Sequence, residues 1–436
     1  METQPVSSLP AEPLRVESLQ PPSQRVGLGF LALLAVGAVV LQMGLSGIGA
    51  LLLPSQIVAL DPAHKVADLG AISSVGALVA LVANLLGGTF SDRTTGRWGR
   101  RRPWMLVGAL GCVLALWVLL QSHIIVLLGL GFALYQFFAN ITLAPLAALI
   151  PDRVPEQQRG IASGIYGLGI ALGIILAAVL IGSVIKLAQP TYLIMIGVTL
   201  VFFVPFSLFL PAQPVPRGSV PAFHLGTFLK GFWVSPRHYP DFWWAFVIRF
   251  IPGLGFFIGL SFLFYYLQDA VQYQRVFPGQ TALQGTATIT VIAEIALAFS
   301  IVLGGILSDR VGRRKPFIIA SLVGLAIALL LFALLQMWTF VVLGGILLGL
   351  SAGVYLAVDL ALVTQVLPSA ETRGKDLGIM NIASSLPTSL APAIAGITLS
   401  AFHGANPHVA YGVLFVAAAL ICLVTILAVP QIKGVK

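Results

Sequence analysis

The chain has 436 residues, of which 58% are hydrophobic and 9% charged, against roughly 25% charged in ordinary soluble domains. So few charged groups cannot cover a water-facing surface, which excludes a soluble enzyme and a disordered chain. The formal charge of +9 would point to nucleic acid only on a soluble face, and the two cysteines, Cys112 and Cys422, lie in apolar runs that exclude a disulfide framework.

Residues 1–26 hold five prolines among polar residues and read as a disordered cytoplasmic tail. A membrane helix needs about 20 mostly apolar residues. Six such runs follow, at 27–53, 68–90, 104–122, 124–150, 161–185 and 191–211. A polar, proline-containing stretch at 212–240 reads as a cytoplasmic linker. Six more runs lie at 241–268, 286–307, 316–336, 338–367, 376–402 and 410–430. Backbone in lipid must satisfy its own hydrogen bonds, so these runs are helices. The 45 glycines suit helices packed closely in a bilayer. The expectation is an all-α membrane protein with twelve transmembrane helices, forming two six-helix bundles at 27–211 and 241–436.

With the N-terminus inside, 20 of the 24 Lys and Arg residues fall on one side. Lys65, Lys186 and Arg275 fall on the other, and Arg249 lies within a span. This asymmetry predicts a multi-pass protein of the cell membrane with both termini cytoplasmic. It also assigns the +9 to orientation and leaves no role for nucleic acid.

The two halves repeat. Residues 87–104 read GGTFSDRTTGRWGRRRPW and residues 304–317 read GGILSDRVGRRKPF, with Asp92 and Asp309 217 residues apart. A second pair, Arg159-Gly160-x-x-x-Gly164-Ile165 and Arg373-Gly374-x-x-x-Gly378-Ile379, is offset by 214. Two six-helix repeats with a site near the midplane between them is a transporter design.

These motifs resemble those of the major facilitator superfamily. Its signature is Gly-x-x-x-Asp-Arg/Lys-x-Gly-Arg-Arg/Lys between spans two and three, often echoed between eight and nine. The second copy fits at Gly305, Asp309, Arg310, Gly312, Arg313 and Arg314; the first has Gly88, Asp92 and Arg93, then an enlarged Thr94–Gly99 stretch before Arg100. That enlarged loop, and residues 130–152 with Asn140, Pro145 and Asp152 in register, are similar to the sucrose transporters and the related glycoside–pentoside–hexuronide symporters. One departure is Gln136, where those carriers have an acid. The resemblance implies a gate in which Asp92 faces the start of span eleven near Lys375–Gly378, and Asp309 the start of span five near Gly160–Ser163. Arg93 would pair with Asp152 and Arg310 with Glu371. Arg100, Arg159, Arg313 and Arg373 complete the gate set.

Charges inside spans are expensive and mark functional candidates. Arg249, Glu294 and Asp359 are three. If Arg249 pairs with one acid, the other is left to take a proton, as a proton-coupled carrier needs; Asp359 is the first candidate and Glu294 the second. Gln42 and Ser46, Gln136 and Asn140, and Tyr355 and Asp359 each sit four apart, on one helix face. With Arg249 and with Asn381 in span eleven, they could line a cavity for a hydroxyl-rich solute, although interhelical hydrogen bonds use the same residues. Pro252, Pro387 and Pro392 can kink their helices. The histidines form no metal set and no Walker loop occurs, so no cofactor is expected. The expected function is secondary active transport, by a monomer, of a small solute, a sugar or glycoside, with protons. The alternatives are an exporter of drugs or amphipathic metabolites and a non-transporting membrane sensor.

Overall fold

The computed structural model describes residues 24–185, 188–210, 237–366, 373–402, 404 and 406–432. The expected tail at 1–26 and linker at 212–240 lie outside them, apart from residues 24–26 and 237–240. Twelve helices among the described residues are long and apolar enough to cross a membrane. They are α1 (Leu28–Leu60), α2 (Lys65–Arg93), α3 (Arg102–Leu120), α4 (Ile125–Arg153), α5 (Glu156–Gly182), α6 (Ala188–Phe209), α7 (Pro240–Ser261), α8 (Ala282–Val311), α9 (Lys315–Leu334), α10 (Trp338–Val366), α11 (Arg373–Ala401) and α12 (Pro407–Gln431). No strand occurs among the described residues.

These helices are apolar all round, as membrane spans are. On α2, Val75, Leu78 and Val82 face outward while Leu69 and Ala83 are buried. On α8, Phe299 and Val302 face outward and Ile289 inward. Short loops join most neighbours, so consecutive helices run in opposite directions and the loops alternate between two ends. The α2–α3 and α8–α9 loops, which carry the Asp-Arg motifs, lie at the motif end. The α1–α2 and α7–α8 connections lie at the far end.

The two ends are packed differently. At the far end one apolar core is shared by both halves, with Ile48, Leu53, Ile57 and Tyr192 joining Tyr265, Tyr266, Phe332 and Phe415. Towards the motif end each half has its own core: Leu34, Met105, Leu149 and Phe206 in one, Phe242, Ile318, Leu362 and Met380 in the other. Polar contacts tie the halves together at the far end. Lys65 Nζ lies 2.6 Å from Asp269 Oδ1, and the Tyr265 hydroxyl donates to the Pro54 carbonyl at 3.2 Å, both across the halves at the far end. Gly70 of α2 also meets α11 there, so closely that a Cβ would sit 3.1 Å from the Pro392 carbonyl. At the motif end, a Cβ on Gly160, Gly164 or Gly167 of α5 would meet nothing within 4 Å. Among the described residues the halves are therefore closed at the far end and apart at the motif end.

Span seven is shorter than expected. The apolar run continues to 268, but the helix stops at Ser261. Phe262 leaves helical geometry at φ −115°, ψ 17°, and a separate short helix, Leu263–Asp269, follows. Hydropathy reports the apolar content of that segment and not its backbone path. The buried ring of Phe262, packed 6.0 Å from Tyr265, sits at the break.

Candidate functional site

A cavity of about 290 Å³ lies within the C-terminal half, among α7, α8, α9, α10 and α11. It brings together four of the expected residues: Arg249, Glu294, Tyr355 and Asp359. Arg249 Nη2 lies 3.1 Å from Asp359 Oδ2. Asp359 is 5% exposed, so this is a buried ion pair, and the pairing partner of Arg249 is Asp359. Glu294 reaches the same cavity from α8 and has no hydrogen bond or ion pair among the described residues.

The Tyr355 hydroxyl lies 3.2 Å from Asp359 Oδ1 and 3.1 Å from the Ile248 carbonyl. It has one proton and can donate to one acceptor at a time. The second acceptor is available for a local reason. Pro252, four residues after Ile248, has no N–H, so α7 lacks the rung that would occupy that carbonyl. Ser321, Ser351 and Ser384 add hydroxyls to the walls, and Phe256, Phe257, Leu297 and Leu325 supply apolar surface.

The other expected binding residues lie elsewhere. On α4 the Asn140 amide donates to the Gln136 carbonyl at 2.8 Å and stands 3.3 Å from its side-chain oxygen. Gln136 itself lies against Gly76 of α2, and Gln42 of α1 against Gly173 of α5. Asn381 is exposed and does not line the C-terminal cavity, where Ser384 takes its place on α11.

At the motif end the repeat extends to geometry. Gly99 and Gly312 both take left-handed backbone, at φ +73° and +67°, which lets each chain turn sharply into the next helix. Each turn places an arginine, Arg101 or Arg314, at the N-cap of α3 or α9. That arginine reaches back to the motif acid: Arg101 Nη2 to Asp92 Oδ1 at 2.5 Å, Arg314 Nη2 to Asp309 Oδ1 at 3.3 Å. Asp92 and Asp309 are 57% and 73% exposed, each bridged within its own half. The N-terminal copy is the more elaborate. Asp152 accepts from Arg100 and, at 2.7 Å, from Arg101. Arg101 also donates to Ser91 Oγ at 2.6 Å. Arg159 donates to the Val154 and Pro151 carbonyls at the end of α4, and Arg310 and Arg313 are exposed. Glu371 lies outside the described residues, and for Arg373 only the helical backbone is described.

A sequence profile of the Major Facilitator Superfamily matches residues 34–293 and 277–434. The chain belongs to the major facilitator superfamily. As a major facilitator protein it has the fold of a multi-pass membrane transporter and not of an enzyme. Its fold is similar to that of a bacterial homologue of the human lysosomal transporter Spinster, solved in an inward-facing, unoccupied conformation. The TM-score is 0.71 at 18% identity, over 93% of this chain and 98% of that one. Two similar relatives accord with the branch read from the enlarged loop. The sucrose transport protein SUT1 of Oryza sativa subsp. japonica is 30% identical over 123 residues, 23% of each chain. Solute carrier family 45 member 3 of Mus musculus is 32% identical over 117 residues, 23% of this chain and 21% of that one. The match thus spans less than a quarter of these relatives' length.

One residue of this major facilitator protein escaped the sequence reading. Arg101 stands in a run of three arginines, of which Arg100 was the one placed in the gate. Only the turn at Gly99 tells which of the three points back at Asp92. The C-terminal copy carried the signal, since Arg314 is the second arginine after Gly312 and Arg101 the second after Gly99.

Proposed function

We propose that the protein is a secondary active transporter that moves a sugar or glycoside together with protons by alternating access, as a monomer in the cell membrane. The observation that carries the coupling is the pairing in the cavity. Arg249 is matched by Asp359, so Glu294 is the acid without a countercharge, and it moves ahead of Asp359 as the proton carrier. A lone carboxylate in a membrane interior is costly, and a proton removes that cost. Arg249, Asp359, Tyr355 and the cavity serines supply donors and acceptors for solute hydroxyls. Gln42, Gln136 and Asn140 would face the same solute from the N-terminal half.

The basic asymmetry of the loops supports a cytoplasmic motif end and, with it, an inward-facing conformation. In the opposite state Asp92 and Asp309 would leave their own arginines and meet the helix starts of α11 and α5, whose positive ends favour a carboxylate. The partial likeness to a sucrose transport protein supports the sugar assignment. A second reading, an exporter of amphipathic solutes, is favoured by one observation, the apolar wall formed by Phe256, Phe257, Leu297 and Leu325.

The test uses purified protein in liposomes with an internal pH dye and a panel of mono- and disaccharides and glycosides. Proton entry with one solute, abolished in Glu294→Gln while solute exchange between the two sides persists, is the expected result. Solute-driven proton entry that survives Glu294→Gln removes Glu294 as the carrier. Silence across the panel, with folding verified, removes the sugar reading in favour of the exporter.

A further inference from the structure

We infer that Lys65, Asp68 and Asp269 are positioning residues of the transport cycle that exchange partners. Lys65 holds Asp269 of the other half while the far end is closed, and turns to Asp68 of its own helix when that end opens. The inference rests on the alternating-access reading.

In the closed far end Lys65 Nζ lies 2.6 Å from Asp269 Oδ1, 3.4 Å from Gln268 Oε1, and 5.1 Å from the centre of the Tyr265 ring. Asp269 ends the short helix Leu263–Asp269, and its other oxygen accepts from the Tyr411 hydroxyl of α12 at 3.4 Å. The acid is thus tied to the C-terminal half and the lysine to α2. The side chains are 19% and 24% exposed, sheltered enough to attract and wet enough to part. Asp68 stands one turn along α2 from Lys65, on the same face. Its Oδ2 is sealed from solvent without a hydrogen-bond partner. A helix N-terminus explains an acid in the first turn. It does not account for a carboxylate oxygen buried without a hydrogen-bond partner, a group that native proteins usually satisfy.

Two further charged groups nearby pair with each other. His64 Nδ1 lies 3.0 Å from Asp61 Oδ2. That bond holds the Asp61 carboxyl below its ordinary range and the His64 imidazole above its own. When the halves part, Asp269 leaves with Tyr411, and Lys65, on a flexible four-carbon stem, has Asp68 within reach. Neither conformation then strands the lysine without a partner, and the two states are brought closer in free energy.

The test measures distances between spin labels on His123→Cys and Gln274→Cys, exposed sites in different halves at the far end, in the full chain in lipid nanodiscs. Cys112 and Cys422 are buried and do not compete for label. The unmodified latch should give a short and a long population. Asp269→Asn should raise the long population about threefold, the order of a partly exposed ion pair, and Asp68→Asn should raise the short one about as much. Asp68→Ser should repeat the Asp68→Asn shift, and Asp68→Glu and Lys65→Arg should keep the original ratio. A merely structural Asp68 would not oppose Asp269 in this way. Two populations that Asp68→Asn and Asp68→Ser leave unmoved, or move towards the long distance, overturn the latch alone. A single distance in every variant, with and without solute, overturns both the latch and alternating access.

Discussion

Arg249 and Asp359 illustrate how a buried pair behaves in a membrane interior. The two charges are 3.1 Å apart, and Asp359 is nearly sealed. Removing the cation alone leaves an uncompensated carboxylate, which costs about 3–5 kcal/mol in buried pairs, whereas removing both charges is close to neutral. Arg249→Met should therefore lower the thermal midpoint of the purified protein, and Arg249→Met with Asp359→Asn should recover most of the loss. Both variants should fail to transport. Equal midpoints for the single and double variants would count against a stabilising pair. Which acid meets Arg249 was open in the sequence, because Glu294 and Asp359 are both intramembrane acids and only the helices' rotations decide between them. The same limit applies to Asn381, whose position on α11 was legible and whose exposure was not.

At the scale of the helix, proline explains more than hydropathy does. Pro252 frees the Ile248 carbonyl, and the Tyr355 hydroxyl of α10 stands against it. Pro252→Ala would restore the backbone bond of α7 and leave Asp359 as the sole acceptor for Tyr355. The expected outcome is a protein that is more stable in detergent and transports more slowly, read by melting and by solute flux in parallel. A variant with unchanged flux would show that α7 does not bend during the cycle. The twelve helices themselves were legible, because a run of about 20 apolar residues matches the thickness of a bilayer's hydrocarbon core. The break at Phe262 was not, since it depends on where a ring packs and not on how apolar the segment is.

The whole molecule is closed at one end by packing and open at the other. Two acids, Asp92 and Asp309, wait at the open end in bridges internal to each half. If those acids latch the other state, Asp92→Asn should slow transport while insertion and melting stay near the original. It should also lengthen the time for which Gly164→Cys, in open space on α5, reacts with a water-soluble maleimide from the motif end. Unchanged flux in folded Asp92→Asn would leave the motif a topology signal only. The repeat and its acids were plain in the sequence, but the end that is closed was not, because one chain encodes both states. The shared far-end core has a thermal consequence. Parting the halves there wets Tyr192, Tyr265 and their apolar neighbours, and hydrating such surface raises the heat capacity. Closing the motif end gathers Gly160, Gly164 and the exposed acids Asp92 and Asp309, and such small or charged groups return less. The balance between the two states should therefore bend with temperature, and the preferred opening of the carrier should shift as the membrane warms or cools.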